Sequence, residues 1–82
     1  MALKSKLKNY VARRRSEIGG LLRQARLKKG WTQEQAAQVL ECTRVTYVRV
    51  ELGKAELTFS ELEYLATQMG MTLGALLSEG KG

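Results

Sequence analysis

The chain has 82 residues and a net charge of +6, with no proline, no histidine and no aspartate. That length allows one domain around one small core, burying about 60–65% of the surface the unfolded chain exposes. With Cys42 the only cysteine, an internal disulfide is excluded, and zinc sites and histidine-based nucleophile pairs lack their ligands and bases, so no metal, no cofactor and no enzymatic activity are expected.

Ala, Leu, Gln, Glu, Lys and Arg are abundant and are strong helix formers, so an all-α fold is expected. Residues 1–17 make a basic N-terminal arm in which Leu3, Leu7, Tyr10 and Val11 keep helical spacing among Lys4, Lys6, Lys8, Arg13, Arg14 and Arg15. The arm reads either as an amphipathic helix running into the next one or as a disordered segment that orders on its binding partner; a partial helix is the favoured reading. The domain itself is expected over residues 18–78. Ile18, Leu22 and Ala25 share one helical face, Lys28 and Lys29 complement the helix dipole in the last turn, and Gly30 stops the helix. Thr32 with Gln35 fits a capping box, and Ala36, Ala37 and Leu40 form the inner face of the helix it opens.

Only Glu41 and Cys42 separate that helix from Thr43, a second N-cap. Two short helices joined so tightly must cross steeply, which predicts a helix-turn-helix over residues 32–53. In the second helix, residues 43–51, Tyr47 and Val50 face inward, so Arg44, Val45, Thr46 and Arg49 face outward. Gly53 ends it. Thr58 with Glu61 opens a fourth helix carrying Leu62, Leu65, Ala66 and Met69. Gly70 closes that helix, and Thr72 caps a last one with Leu73, Leu76 and Leu77. The tail, residues 79–82, is expected to fray.

This ordered set resembles the Xre/Cro-type, lambda-repressor-like helix-turn-helix family. The residues that carry the resemblance are Ile18-Gly19, Leu22, Arg26, Gly30-Trp31-Thr32-Gln33, Ala36-Ala37, Val50-Glu51, Gly53-Lys54, Leu62, Leu65-Ala66, Met69-Gly70-Met71-Thr72 and Leu76-Leu77. The resemblance implies a five-helix fold and a sequence-specific regulator, a repressor more often than an activator, that sets helix 43–51 in the major groove of double-stranded DNA. Arg44, Val45 and Arg49 fall at the family's base-reading positions; an arginine can span guanine O6 and N7, and a valine can touch a thymine methyl. Thr32, Gln33, Thr46 and Lys54 would contact phosphates, with Arg13, Arg14 and Arg15 of the arm adding to them. Arg26 and Glu51 would form a structural ion pair, and Trp31 would belong to the core. Glu41 stands where glycine is usual, Leu57 where proline is usual and Leu52 where a polar residue is common.

Charge is divided along the chain. Residues 1–30 hold ten Lys/Arg against Glu17 alone, a net +9, while residues 31–82 hold a net −3. Such asymmetry points to a nucleic acid or an anionic surface as partner. No apolar run reaches the roughly 18 residues of a membrane span, and the single cysteine suits a reducing compartment, so a cytoplasmic protein with no membrane association is expected. Binding as a homodimer to a palindromic operator would use Met71, Leu73, Leu76 and Leu77, or the N-terminal segment. The alternative function is a protein-interaction module, such as an antitoxin that binds a toxin and represses its own operon.

Overall fold

The computed structural model describes residues 2–78, with side chains from residue 5 onward; these residues form five helices and no strand. The helices are α1 (Ala2–Lys29), α2 (Gln33–Val39), α3 (Arg44–Glu51), α4 (Phe59–Gln68) and α5 (Leu73–Ser78). The tail from Glu79 to Gly82 lies outside the described residues, as do the side chains of Leu3 and Lys4. α1 passes through residue 17 without a break, so the basic arm is helical and no change of secondary structure marks it off from the domain. At a rise of about 1.5 Å per residue, its 28 residues account for the 42 Å long axis of the molecule.

Threonines start the short helices by taking up backbone N–H groups that would otherwise lack partners. Thr32 and Thr58 form full capping boxes with Gln35 and Glu61, Thr43 caps α3 through Thr46 N–H, and Thr72 Oγ1 accepts from Ala75 N–H at 3.0 Å. Because Thr58 caps α4, Leu57 does not extend that helix. It stays in the loop, partly buried against the core.

The helix ends share one hydrogen-bond pattern, in which a left-handed residue and its successor bond back to the last turn. Gly30, Gly53 and Gly70 hold the left-handed position after α1, α3 and α4. After α2 the same position falls to Glu41, with φ 57°; its N–H donates to Gln38 O, and Cys42 N–H donates to Ala37 O. A side chain there costs on the order of 1 kcal/mol in backbone strain. Glu41→Gly should therefore raise stability by about that amount in urea denaturation; a clear loss of stability would contradict the strain argument.

The core is small and contiguous. Leu22, Ala36, Ala37, Tyr47, Leu65, Ala66 and Leu76 are essentially fully buried, and Trp31 packs against them from the edge. Ala36 and Ala37 present little bulk, which lets α3 close onto α2, while α1 backs both α3 and α5. Leu76, expected as a dimer contact, belongs to this core and offers no surface to a second copy. Met71, Leu73 and Leu77 remain half-buried around it.

Candidate nucleic-acid interface

α2, the turn at Glu41 and α3 form the expected pair of crossing helices. Tyr47 and Val50 anchor α3 inward, and Glu51 is buried beside them. The opposite face therefore stands free: Arg44, Val45, Thr46 and Arg49 are all exposed, Val45 by 70%. Thr32 and Lys54 are exposed as well.

Behind this face lies a chain of polar contacts. Arg26 Nε donates to Glu51 Oε2 at 2.6 Å and Nη2 to Glu51 Oε1 at 3.2 Å, a two-pronged pair that leaves the residues 6% and 8% exposed. Arg26 Nη1 donates to the Trp31 carbonyl at 2.9 Å, which ties the end of α1 to the loop before α2. Gln33 Nε2 donates to the same Glu51 oxygen at 3.2 Å, and Gln33 Oε1 accepts from Arg44 Nη2 at 3.3 Å. The ion pair expected to be only structural thus also holds Gln33, and Gln33 holds Arg44.

Burial by itself would push the Glu51 carboxyl up; the donors that face it, Arg26 first and then Tyr47 and Gln33, outweigh burial and keep the group below the usual carboxylate range. The hydrogen bond to Glu51 likewise raises Arg26. Burial drives the Tyr47 phenol far above its usual value. Its oxygen lies in the field of the pair but makes no hydrogen bond of normal geometry. Cys42 is half-buried, and burial raises its thiol too, so it sits in the turn as a protonated side chain.

At the other end of α3, Arg49 Nη2 donates to the Lys54 carbonyl at 3.2 Å, which joins the helix to the loop that follows it. That loop rests on α1. A Cβ at Gly53 would lie 2.5 Å from Ser16 Oγ, and Arg15 pairs with Glu56 at 3.0 Å. Arg14 pairs with Glu17 at 3.3 Å, and Arg13 lies over the Tyr10 ring, 5.5 Å from its centroid. The three arginines of the arm therefore do not form one cationic cluster: two face carboxylates and one faces an aromatic ring. Thr43 Oγ1 donates to Thr46 Oγ1 at 2.9 Å, so Thr46 is engaged with its own helix cap.

Two features of the site escaped the sequence reading. Gly19 is the point where α1 meets the C-terminal carbonyls of α3. Its signal was the Gly19-Gly20 pair inside a helical pattern. The anchoring of Gln33 by Glu51 left no signal, because the two residues are 18 positions apart and on different helices.

Residues 17–79 match the family described as Helix-turn-helix domain. Among solved structures, the chain is similar to the crystal structure of ComR from Streptococcus suis, with 35% identity and a TM-score of 0.66. The match covers 79% of this chain and 21% of ComR, so the chain spans about a fifth of that protein's length. No curated protein matches the chain. Among the described residues, no helix is long and apolar enough to cross a membrane.

Proposed function

The chain belongs to the helix-turn-helix domain family, and from that premise we propose that it is a sequence-specific DNA-binding regulator of the lambda-repressor-like, Xre/Cro type, acting as a repressor. The observation that supports this most is the outward face of α3, where Arg44, Val45 and Arg49 are solvent-exposed while Tyr47 and Val50 hold the helix to the core. An arginine presents a planar donor fork to guanine, and each such contact is worth about 1–3 kcal/mol of discrimination. Arg44 is the first reader, held ready by Gln33. Arg49, attached to the Lys54 carbonyl, reads at the far end of the helix. Gln33, Thr32, Thr46 and Lys54 take phosphates beside this face. Of the arm, Arg13 has no carboxylate partner among the described residues, whereas Arg14 and Arg15 must leave Glu17 and Glu56 to reach DNA.

Two copies, joined through the half-buried Met71, Leu73 and Leu77, would present their α3 helices to half-sites about 10 base pairs apart. Selection of bound sequences from random duplex DNA tests the reading. The expected result is an enriched palindrome. Arg44→Ala should weaken binding to the selected site by about 1–3 kcal/mol and relax preference at one base of each half-site. If no motif is enriched by the unaltered protein, the reading fails.

A further inference from the structure

α1 continues past the body of the molecule, and its apolar face continues with it. Leu7, Val11 and Ile18 lie on the same side of the helix as the buried Leu22 and Ala25, by the about 100° rotation per residue. Inside the body that face is covered. Upstream it is not: Leu7 is 64% exposed and Tyr10 54%. The stripe leads into a cleft of about 180 Å³ between α1 and the loop joining α3 to α4, whose apolar lining includes Ile18, Leu22, Val50, Leu57 and Leu62 and which Arg14, Arg15 and Glu56 also line. An apolar cavity of about 150 Å³ accommodates benzene, so this cleft has room for one leucine or phenylalanine side chain.

The flanks of the stripe are cationic on both sides. Lys8 and Arg15 lie on one flank, Lys6 and Arg13 on the other; residues 5–16 contain no acid, and the two carboxylates that border the stripe, Glu17 and Glu56, are paired with Arg14 and Arg15. Lys6, Lys8 and Arg13 have no carboxylate partner among the described residues, and Arg15 Nε at the cleft wall is buried without a hydrogen bond. We propose that this stripe and cleft bind an acidic amphipathic segment of another protein, which seats one large apolar side chain between α1 and the α3–α4 loop and sets carboxylates against Lys6, Lys8 and Arg13.

The charge pattern selects this occupant. Two copies of the arm laid together would set lysine against lysine, and like charges repel. The exposed α4 surface of the same chain offers Glu61 and Glu63 beside Phe59 and Tyr64, but Glu61 is taken up by the Thr58 cap, which leaves one carboxylate for the cations of the arm. Duplex DNA would satisfy the cations but leave Leu7, Tyr10 and the cleft in water. An acidic segment with an apolar stripe of its own satisfies both. The inference does not depend on base reading by α3.

The test is a titration of the isotope-labelled full chain, followed by NMR, with a synthetic peptide of about four helical turns carrying Leu and Phe on one face and Glu elsewhere. A scrambled peptide of the same composition is the control. The expected result is shifts at the Val11, Ile18, Leu57 and Leu62 methyls, with binding at least about tenfold tighter than the scrambled peptide. Leu7→Glu should weaken binding at least about tenfold without moving the thermal midpoint, and Arg44→Ala should leave it unchanged. Equal binding of the scrambled peptide, absence of shifts in the cleft, or insensitivity to Leu7→Glu overturns the proposal. So does Leu7-dependent partition into phosphatidylserine vesicles, or Leu7-dependent dimerisation in sedimentation, without peptide binding.

Discussion

Arg26→Ala should remove about 3–5 kcal/mol of folding stability, because it leaves the Glu51 carboxylate buried with its main partner gone. A domain of this size has a total stability of only about 5–15 kcal/mol, and each kcal/mol moves the thermal midpoint by about 4–8 °C, so the variant should melt far lower or lose cooperative folding. An unchanged midpoint would dispose of the pair as a structural element. The pH dependence follows from the depressed Glu51 carboxyl. Its contribution is complete above the ordinary unfolded carboxylate value and is lost as the pH falls through the lowered folded one. Arg26→Met combined with Glu51→Leu should recover much of the lost stability, since apolar side chains of similar volume remove both charges together. It should not recover DNA affinity, because Gln33 loses the carboxylate that holds it and Arg44 loses Gln33 in turn. Full recovery of both would separate the ion pair from the reading face.

Gly19→Ala should cost about 3 kcal/mol, the upper part of the usual overpacking range, despite the better helix propensity of alanine. A Cβ at this position would lie 2.5 Å from the carbonyl oxygens of both Val50 and Glu51. Those are backbone atoms at the end of α3, and no side-chain rotation relieves the contact, so α3 itself must shift. The shift moves Glu51, and with it Gln33 and the face that carries Arg44, so DNA affinity should fall along with stability. Gly20→Ala is the control: no atom lies within 4 Å of its added Cβ, and the change should stabilise α1 by about 1 kcal/mol. Urea denaturation of both variants decides the matter, and equal stabilities would show that α1 and α3 do not cross as closely as described.

Local chemistry made most of the helix boundaries legible. Thr32, Thr43, Thr58 and Thr72 cap helices where their side chains reach N–H groups three residues on, and Gly30, Gly53 and Gly70 take the left-handed position that ends them. These contacts span three to five residues, so spacing alone reveals them. The outward set Arg44, Val45 and Arg49 was equally legible, because a buried Tyr47 and Val50 fix the opposite face of a regular helix. The arm was less so. Its spacing suited a helix, but an isolated segment of that length is marginal in water, and its helical state depends on continuity with the packed part of α1.

What the sequence by itself determined is the succession of helices, the starts of the four that threonines cap, the ends of the three that glycines close, and which face of α3 points outward, since all of these follow from near-neighbour hydrogen bonds and helical periodicity. Only the tertiary structure decided that Glu51 holds Gln33, that Gly19 is the crossing point of α1 and α3, that Leu76 is core rather than surface, and that the arm's apolar stripe opens into a cleft beside Leu57. Each of those depends on side chains far apart in the chain meeting at a distance set by how helices pack. Helix packing depends on the volumes of all the core residues together, and no single segment carries that information.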